Sequence, residues 1–323
     1  MMKRRKLSSP IYHRRCEQSV AEVDKKTLIV SGATGWLGRE LLEGLTSPID
    51  KVSSDTTLIS TKVKTLKLSS GREMLTQTYE DVTLPTAVDG FVNLAFLTKE
   101  KVEKVGFDNF VLRNMELISR ACRVIETRKP KWILSVSSGA VFRAGTTEFE
   151  RDIRQNPYGF LKRVEELLLA DAAQKAGSAL IIGRLWGSSG RYMPIHHSYA
   201  LSDFLSSALD GKPIHIRSGI KVMRRFTDAG EFMQVLFALA QEGQNRTIDS
   251  GGELVEVADL ATEISKHFPG IAITRATLSD VKIDDYYPRT EDLAFEAKRL
   301  GIRLSTMQEQ VIKTLEGHRA LSV

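Results

Sequence analysis

Gly32-Ala33-Thr34-Gly35-Trp36-Leu37-Gly38 places three glycines three residues apart near the start of the chain. The preceding residues 27–30, Thr-Leu-Ile-Val, are typical of a buried parallel strand, and residues 36–45 have the apolar spacing of a helix. The glycines therefore lie at a strand-to-helix turn, where the backbone can approach a pyrophosphate and the helix N-terminus favours negative charge. The stretch predicts a dinucleotide-binding turn. The alternative is a turn that only packs the helix tightly on the strand.

Strands and helices alternate after this turn, which is the pattern of a doubly wound parallel sheet in an α/β Rossmann fold. Further strands are predicted for residues 57–61, 90–96, 132–138 and 179–186. Helices are predicted for residues 107–127, 158–176, 202–209, 231–242, 257–268 and 306–317.

The composition is that of an enzyme-sized globular protein. The chain has 323 residues, of which 42% are hydrophobic and 27% charged, so it can form one large or two modest domains. No apolar run approaches the roughly 20 residues that a membrane-spanning helix needs, so we expect no membrane association. Cys16 and Cys122 are the only cysteines, too few for a disulfide framework, which favours a cytoplasmic location.

The positive charge is concentrated at the N-terminus. Residues 1–26 hold eight Lys or Arg and three acidic residues, a net charge of +5 out of the +6 of the whole chain. The rest of the chain is nearly neutral, so we expect no nucleic-acid partner. Residues 1–25 form a basic leader that we predict to be poorly ordered; contact with an anionic surface is the alternative.

A second motif, Tyr158-Gly159-Phe160-Leu161-Lys162, indicates proton-transfer chemistry. Tyr158 and Lys162 are four residues apart and so share one face of the predicted helix. A free tyrosine has a pKa of about 10, and a neighbouring ammonium favours its phenolate form. Ser137 and Ser138 end a predicted strand about twenty residues upstream, where a hydroxyl can meet the same substrate oxygen, and Asn114 on the intervening helix is a candidate polar support. Each feature also occurs by chance, so the prediction of a nicotinamide enzyme rests on their combination.

Together these motifs resemble the extended short-chain dehydrogenases/reductases of the NAD-dependent epimerase/dehydratase family, most of which act on nucleotide-activated sugars. The resemblance runs from about residue 26 to the C-terminus. It rests on the glycine turn, Asn93-Leu94-Ala95, residues 137–142, Tyr158 with Lys162, Arg184 and Arg224.

The resemblance implies a role for several residues. Tyr158 would be the catalytic acid/base, Lys162 the cofactor-ribose anchor and pKa modifier, and Ser138 the catalytic hydrogen-bond donor. Ser138 takes that position because it lies four residues before Phe142, as in the family pattern. The substrate would be bound by Ser138, Tyr158 and Arg224, with Arg224 meeting a diphosphate. The implied cofactor-binding residues are Gly32, Thr34, Gly35, Trp36, Leu37, Gly38, Thr61, Lys62, Leu94, Ala95, Asn114 and Lys162.

The resemblance also implies two domains with the active site in the cleft between them. Residues 26–187 and 223–252 would form the dinucleotide-binding Rossmann domain. Residues 188–222 and 253–323 would form a smaller α/β substrate-binding domain. A homodimer is compatible with this layout.

The chain departs from the family pattern in places. Gly187 stands where the family often has an asparagine that contacts a substrate phosphate. Gly139-Ala140 replaces the Asp-Glu pair of the 4,6-dehydratase branch, so we do not predict dehydration. The adjacent His196 and His197 would point apart and the other histidines are scattered, so we predict no metal site.

The end of the second predicted strand favours NADP over NAD as the cofactor. NAD sites usually offer a carboxylate to the ribose hydroxyls there. This strand instead closes with Ile59-Ser60-Thr61-Lys62. Lys62 could meet a 2′-phosphate; if it is a plain surface residue, either cofactor would fit.

These observations predict an NAD(P)-dependent enzyme that acts on a nucleotide-activated sugar, by 4-keto-sugar reduction or 4-epimerisation. A carbonyl reductase of a non-sugar substrate is one alternative. A non-catalytic NADP-sensing scaffold is another, although such a scaffold would need only the glycine turn.

Overall fold

The computed structural model describes residues 26–45, 55–195, 199–279 and 282–321. The predicted leader and the pair His196-His197 lie outside these residues. The strands are β1 (Leu28–Ser31), β2 (Thr56–Ile59), β3 (Lys64–Lys67), β4 (Glu73–Thr76), β5 (Gly90–Asn93), β6 (Trp132–Ser138), β7 (Ala179–Leu185), β8 (Gly187–Ser189), β9 (Ile214–Ile216), β10 (Lys221–Asp228), β11 (Arg246–Asp249), β12 (Glu253–Glu256), β13 (Ile273–Arg275) and β14 (Ile283–Asp285). The helices are α1 (Trp36–Gly44), α2 (Val102–Val105), α3 (Phe107–Arg128), α4 (Pro157–Ala176), α5 (Ala200–Leu209), α6 (Ala229–Gln241), α7 (Val257–Ser265), α8 (Asp292–Arg299) and α9 (Met307–Leu321).

The main sheet has six parallel strands in the order β11-β7-β6-β5-β1-β2. Successive side chains of a strand point to opposite faces, so each apolar strand supplies two cores. Leu28 and Val30 pack toward α1 and α6, whereas Ile29 packs with residues of α3 and α4. The predicted doubly wound Rossmann sheet is confirmed.

One edge of this sheet carries a feature that the sequence analysis did not predict. After β2 the chain forms an antiparallel hairpin of β3 and β4. The residue that follows the hairpin, Gln77, pairs in parallel with Ile59, donating its N–H to Leu58 O and accepting from Ser60 N, both at 2.9 Å. The hairpin thereby satisfies backbone groups at the edge of β2.

A smaller sheet joins β12, β10 and β14, with β8 also paired to β10. Helices α5, α7 and α9 pack beside it around a separate apolar cluster. Strand β10 spans the proposed domain boundary at residues 222/223, and the chain then returns to the main sheet through β11. The division into two domains therefore stays a prediction.

The elements that the sequence predicted begin and end within a few residues of their predicted bounds, whereas β8 to β14 and the helices α2 and α8 were not predicted. The strand predicted for residues 90–96 was too long, because β5 ends at Asn93. Beyond it, Leu97 N donates to the Asn114 side chain at 2.8 Å instead of to a neighbouring strand. None of the helices in the described residues combines the length and apolar character needed to cross a membrane.

A buried acidic cluster links α1 to the smaller sheet and to α9. Glu40 Oε1 accepts from Tyr192 N at 2.8 Å and from Trp36 Nε1 at 3.2 Å. Asp228, which is also buried, accepts from Lys313 Nζ at 2.6 Å. Burial, together with the negative charge of Asp228, raises the pKa of Glu40 to about 7.

This raised pKa predicts a pH-dependent stability. Unfolding returns Glu40 to its ordinary pKa of 4.5, so the stability present below that pH is lost as the pH rises through about 7. The linkage amounts to about 3 kcal/mol at most. We expect Glu40→Gln, which stays neutral, to gain stability relative to the parent between pH 5 and pH 8. Urea unfolding of both proteins across this range checks the prediction, and identical pH dependence would contradict it.

Candidate active site

The glycine turn between β1 and α1 has the geometry of an anion-binding cradle. Gly32 has φ +72°, and a Cβ there would lie 2.5 Å from Leu94 C, so only glycine fits. Gly35, the N-cap of α1, has an ordinary φ of −73°, and a Cβ there would meet only Gly32 O, at 3.2 Å. Gly35 has no side chain with which to cap α1, and the first turn of α1 holds no acidic residue. The N-terminal amides of α1 are therefore suited to a phosphate group.

Two cavities meet at this turn, as expected where the carboxyl ends of the parallel strands converge. The first has a volume of about 540 Å³ and the second about 250 Å³. We name the second the catalytic cleft, after the predicted catalytic residues that line it. The first cavity is lined by these predicted residues: Gly32, Thr34, Gly35, Thr61, Leu94 and Ala95. The catalytic cleft is lined by these: Gly32, Gly35, Trp36, Leu37, Gly38, Leu94, Ser138, Tyr158 and Lys162. The fold thus brings together residues that lie far apart in the sequence.

Three predicted site residues do not line either cavity. Lys62 is exposed, and its carbonyl accepts hydrogen bonds from Ser60 and Thr76. Asn114 is fully buried and holds the backbone of Leu97, so it shapes the wall of the first cavity from behind. Arg224 is paired with the carboxylate of Asp284 on β14.

The start of α4 fixes Tyr158 beside Ser138. The Asn156 side chain caps α4 by accepting from Gly159 N at 2.9 Å, and it donates to Ala140 O at 3.2 Å. A Cβ on Gly159 would lie only 1.9 Å from Ala140 O. Glycine at this position therefore lets α4 pack directly against the segment after β6. This close packing explains why glycine follows Tyr158 in the motif.

Tyr158 is held in its neutral form. Burial raises the pKa of the Tyr158 hydroxyl well above its usual value, while the Ser138 hydroxyl acts in the opposite direction. The ring of Phe96 packs edge-on against Tyr158, with 5.8 Å between the centroids. A neutral phenol is a proton donor, so the site is prepared to protonate an oxygen.

The Lys162 ammonium is fully engaged in this structure. Lys162 Nζ donates to Val136 O and to Glu165 Oε2, both at 2.8 Å, and lies 3.9 Å from the centroid of the Phe96 ring. Glu165 is buried and also accepts from Asn93 Nδ2 at 2.9 Å. Glu165 therefore compensates the charge of Lys162, which weakens the effect that the ammonium would have on Tyr158.

Sequence reasoning missed Glu165 and Phe96. Glu165 lies three residues after Lys162, a spacing that places both side chains on one face of α4 and so was a usable signal. Burial raises the pKa of Glu165, and Lys162 opposes that rise. Phe96 gave no local signal, since its contacts come from the way β5 and α4 pack.

An aromatic wall closes the far side of the catalytic cleft. Trp186 and Tyr286 both line the cleft, with 4.8 Å between their ring centroids. Trp186 Nε1 donates to Asp249 Oδ1 at 2.8 Å, which fixes the indole in place. A third cavity, of about 480 Å³, lies against the same two rings and also contacts Tyr287 and Arg289. It offers room for a part of a substrate that does not react.

Two arginines that carried the family resemblance form ion pairs with carboxylates of the same chain. Arg184 donates from Nε and Nη2 to the carboxylate of Glu166, at 2.8 and 2.9 Å, and so ties β7 to α4. Arg224 donates from Nη1 and Nη2 to the carboxylate of Asp284, at 3.0 and 2.8 Å. In the described part of the chain, no three His, Cys, Asp or Glu side chains are grouped in a way that could hold a metal ion.

Comparison with known proteins relates this fold and site to a family. The model of the NAD dependent epimerase/dehydratase family matches residues 28–251. No curated protein sequence is similar enough to this chain to count as a match.

Solved structures with the same fold have low sequence identity to the chain. MoeE5, solved in complex with UDP-glucose and NAD, is 17% identical with a TM-score of 0.69, over 92% of this chain and 100% of that one. The UDP-N-acetylglucosamine 4-epimerase from Methanobrevibacter ruminantium M1, in complex with UDP-N-acetylmuramic acid, is 18% identical with a TM-score of 0.72. The match covers 92% of this chain and 99% of the epimerase chain. The UDP-glucuronic acid 4-epimerase from Bacillus cereus, in complex with NAD, is 15% identical with a TM-score of 0.70. The match covers 92% of this chain and 97% of that epimerase chain.

Proposed function

The chain belongs to the NAD-dependent epimerase/dehydratase family, and on that premise we propose that it is a nicotinamide-dependent enzyme acting at C4 of a nucleotide-activated sugar. The observation that carries this proposal is the catalytic cleft, in which Ser138, Tyr158 and Lys162 lie next to the uncapped N-terminus of α1. The similar structures, which were solved in complex with UDP-glucose and NAD and with NAD, support the same class of substrate and cofactor.

Each residue of the cleft has a defined task in this proposal. A bound nicotinamide dinucleotide supplies the hydride donor or acceptor. The amides at the start of α1 bind its pyrophosphate. Tyr158 transfers a proton to or from the sugar oxygen at C4, and Ser138 donates a hydrogen bond to that oxygen. Lys162, which lines the cleft, anchors the ribose.

The state of Tyr158 favours reduction of a 4-keto sugar over epimerisation. Reduction needs a neutral phenol that donates a proton to the carbonyl oxygen. Epimerisation begins instead by removing a proton from the C4 hydroxyl, which needs the phenolate. The raised pKa of Tyr158 and the compensation of Lys162 by Glu165 both stabilise the neutral phenol relative to the phenolate.

We also propose NADP as the preferred cofactor. The two carboxylates that line the first cavity, Glu80 and Glu116, are both paired with Arg120 at 2.6 Å. They are therefore less available to accept from a free ribose. The side chain of Lys62 is exposed and would have to swing toward Thr61 to reach a 2′-phosphate.

The cofactor preference is tested at Lys62. A partly exposed ion pair contributes about 1 kcal/mol, which is several-fold in affinity. We expect Lys62→Ala to weaken NADPH binding several-fold and to leave NADH nearly unchanged, and Lys62→Asp to go further because it repels the phosphate. The NADPH/NADH affinity ratio is measured in one buffer, with Lys64→Ala, a neighbouring exposed lysine, as the control. A parent that prefers NADH would refute the proposal.

A second candidate function is the reduction of a carbonyl compound without a nucleotide. The bidentate pair of Arg224 with Asp284 favours it, because the arginine implied for a diphosphate already has an anionic partner. Gly187 at the start of β8 also supplies no side chain to a phosphate.

One set of assays separates the two functions. Nucleotides that co-purify with the protein are identified by mass spectrometry, and UDP- and dTDP-sugars are screened for thermal stabilisation. NADPH oxidation is then followed over nucleotide-linked 4-keto sugars and over simple aldehydes and ketones. Turnover confined to the simple carbonyls, with no stabilisation by any nucleotide sugar, would reject the nucleotide-sugar function.

A further inference from the structure

Arg224 and Asp284 lie on neighbouring parallel strands next to the aromatic wall. In the pairing of β10 with β14, Val222 lies opposite Asp284. The Arg224 guanidinium carbon lies 5.7 Å from the centroid of the Tyr286 ring, and Tyr286 lines the catalytic cleft. Arg224 is thus one ring away from the cleft that holds Tyr158.

The donors of Arg224 are satisfied from within the chain. Nη1 and Nη2 bind the two oxygens of the Asp284 carboxylate at 3.0 and 2.8 Å. Nη1 also donates to the carbonyls of Met223 and Asp284, at 2.8 and 3.1 Å. The fork of terminal N–H groups, which matches a carboxylate and a phosphate equally well, is therefore closed by a carboxylate.

The pair is nevertheless open to exchange. The Asp284 side chain is 43% exposed and that of Arg224 is 23% exposed. Ion pairs at such partly exposed sites are weak, so a group with more negative charge can replace the carboxylate without a large cost. A diphosphate carries that charge and offers the same pair of oxygens.

We propose that Asp284 is an internal competitor for the anion site of Arg224, and that a substrate diphosphate binds by displacing it. This inference rests on the proposed nucleotide-sugar function. Asp284 then acts as a specificity-determining residue: a neutral carbonyl compound leaves the pair closed, whereas a nucleoside diphosphate opens it.

Isothermal titration with UDP and with inorganic pyrophosphate tests the competition without turnover. Asp284→Asn keeps the size of the side chain and removes its charge. We therefore expect UDP to bind the Asp284→Asn variant about tenfold more tightly than it binds the parent. Asp171→Asn is the matched control, because Asp171 is an exposed carboxylate that is paired with Lys175 and lines none of the three cavities. Arg224→Gln should not bind UDP more tightly than the parent, either alone or combined with Asp284→Asn. Circular dichroism and melting temperature confirm that each variant is folded.

The outcomes separate this inference from the proposed function. UDP binding that is equal in the parent and in Asp284→Asn overturns the competition and leaves the nucleotide-sugar function standing. A gain that persists in the double variant also overturns it, since the freed group would not be Arg224. Failure of UDP and pyrophosphate to bind any variant, together with no hydride transfer to a nucleotide sugar, overturns both.

Discussion

Replacement of Tyr158 by phenylalanine is expected to lower turnover by a factor on the order of 10² or more, the usual scale of acid–base catalysis. The variant loses the hydroxyl that transfers the proton but keeps the ring, which packs edge-on against Phe96. Binding of the nicotinamide cofactor should change little, because no proposed contact to its pyrophosphate is removed. Steady-state NADPH oxidation and fluorescence titration of NADPH measure the two effects separately.

The control for this variant is Tyr287→Phe. Tyr287 lines the third cavity beyond the aromatic wall and is not among the residues that line the catalytic cleft. The Tyr287→Phe variant should retain parental turnover on a small keto substrate. Near-normal turnover of Tyr158→Phe would remove this hydroxyl from the mechanism.

Replacement of Gly35 by valine is expected to weaken cofactor binding on the order of 10²-fold or more, about 3 kcal/mol. Gly35 lines both cavities and has an ordinary φ, so a side chain there occupies space near the cradle, with one close contact of 3.2 Å between its Cβ and Gly32 O. Loss of a glycine N-cap costs at most about 1 kcal/mol, so the protein should stay folded. Gly32, with its positive φ, would not allow this test.

A graded series sharpens the result at Gly35. The single Cβ of Gly35→Ala would meet only Gly32 O at 3.2 Å, so alanine should weaken binding less than valine. Melting temperatures of both variants check that the fold is intact. Parental affinity of folded Gly35→Val for both NADPH and NADH would show that the turn has only a structural role.

The sequence by itself determined five of the six strands of the main sheet, the glycine turn and the local arrangement of the Tyr158/Lys162 motif. Apolar runs of four to seven residues encode the buried strands, because both faces of a doubly wound sheet are covered by helices. Glycine at position 32 follows from the positive φ of the turn, which the backbone alone demands. The spacing of Tyr158 and Lys162 places both on one face of α4, which is a property of the helix.

Only the tertiary structure decided which partners these side chains meet. Lys162 is held by Val136 O, 26 residues away, and Arg224 by Asp284, 60 residues away. Periodicity reports which face of an element is buried, but it carries no information on what that face packs against. For the same reason Lys62, although it lies three residues after the end of β2, does not line the cavity: its carbonyl accepts hydrogen bonds from Ser60 and Thr76, which fix the turn that carries it. The charges that set the behaviour of Tyr158 and Arg224 thus come from contacts between distant elements, which form only when the chain has folded.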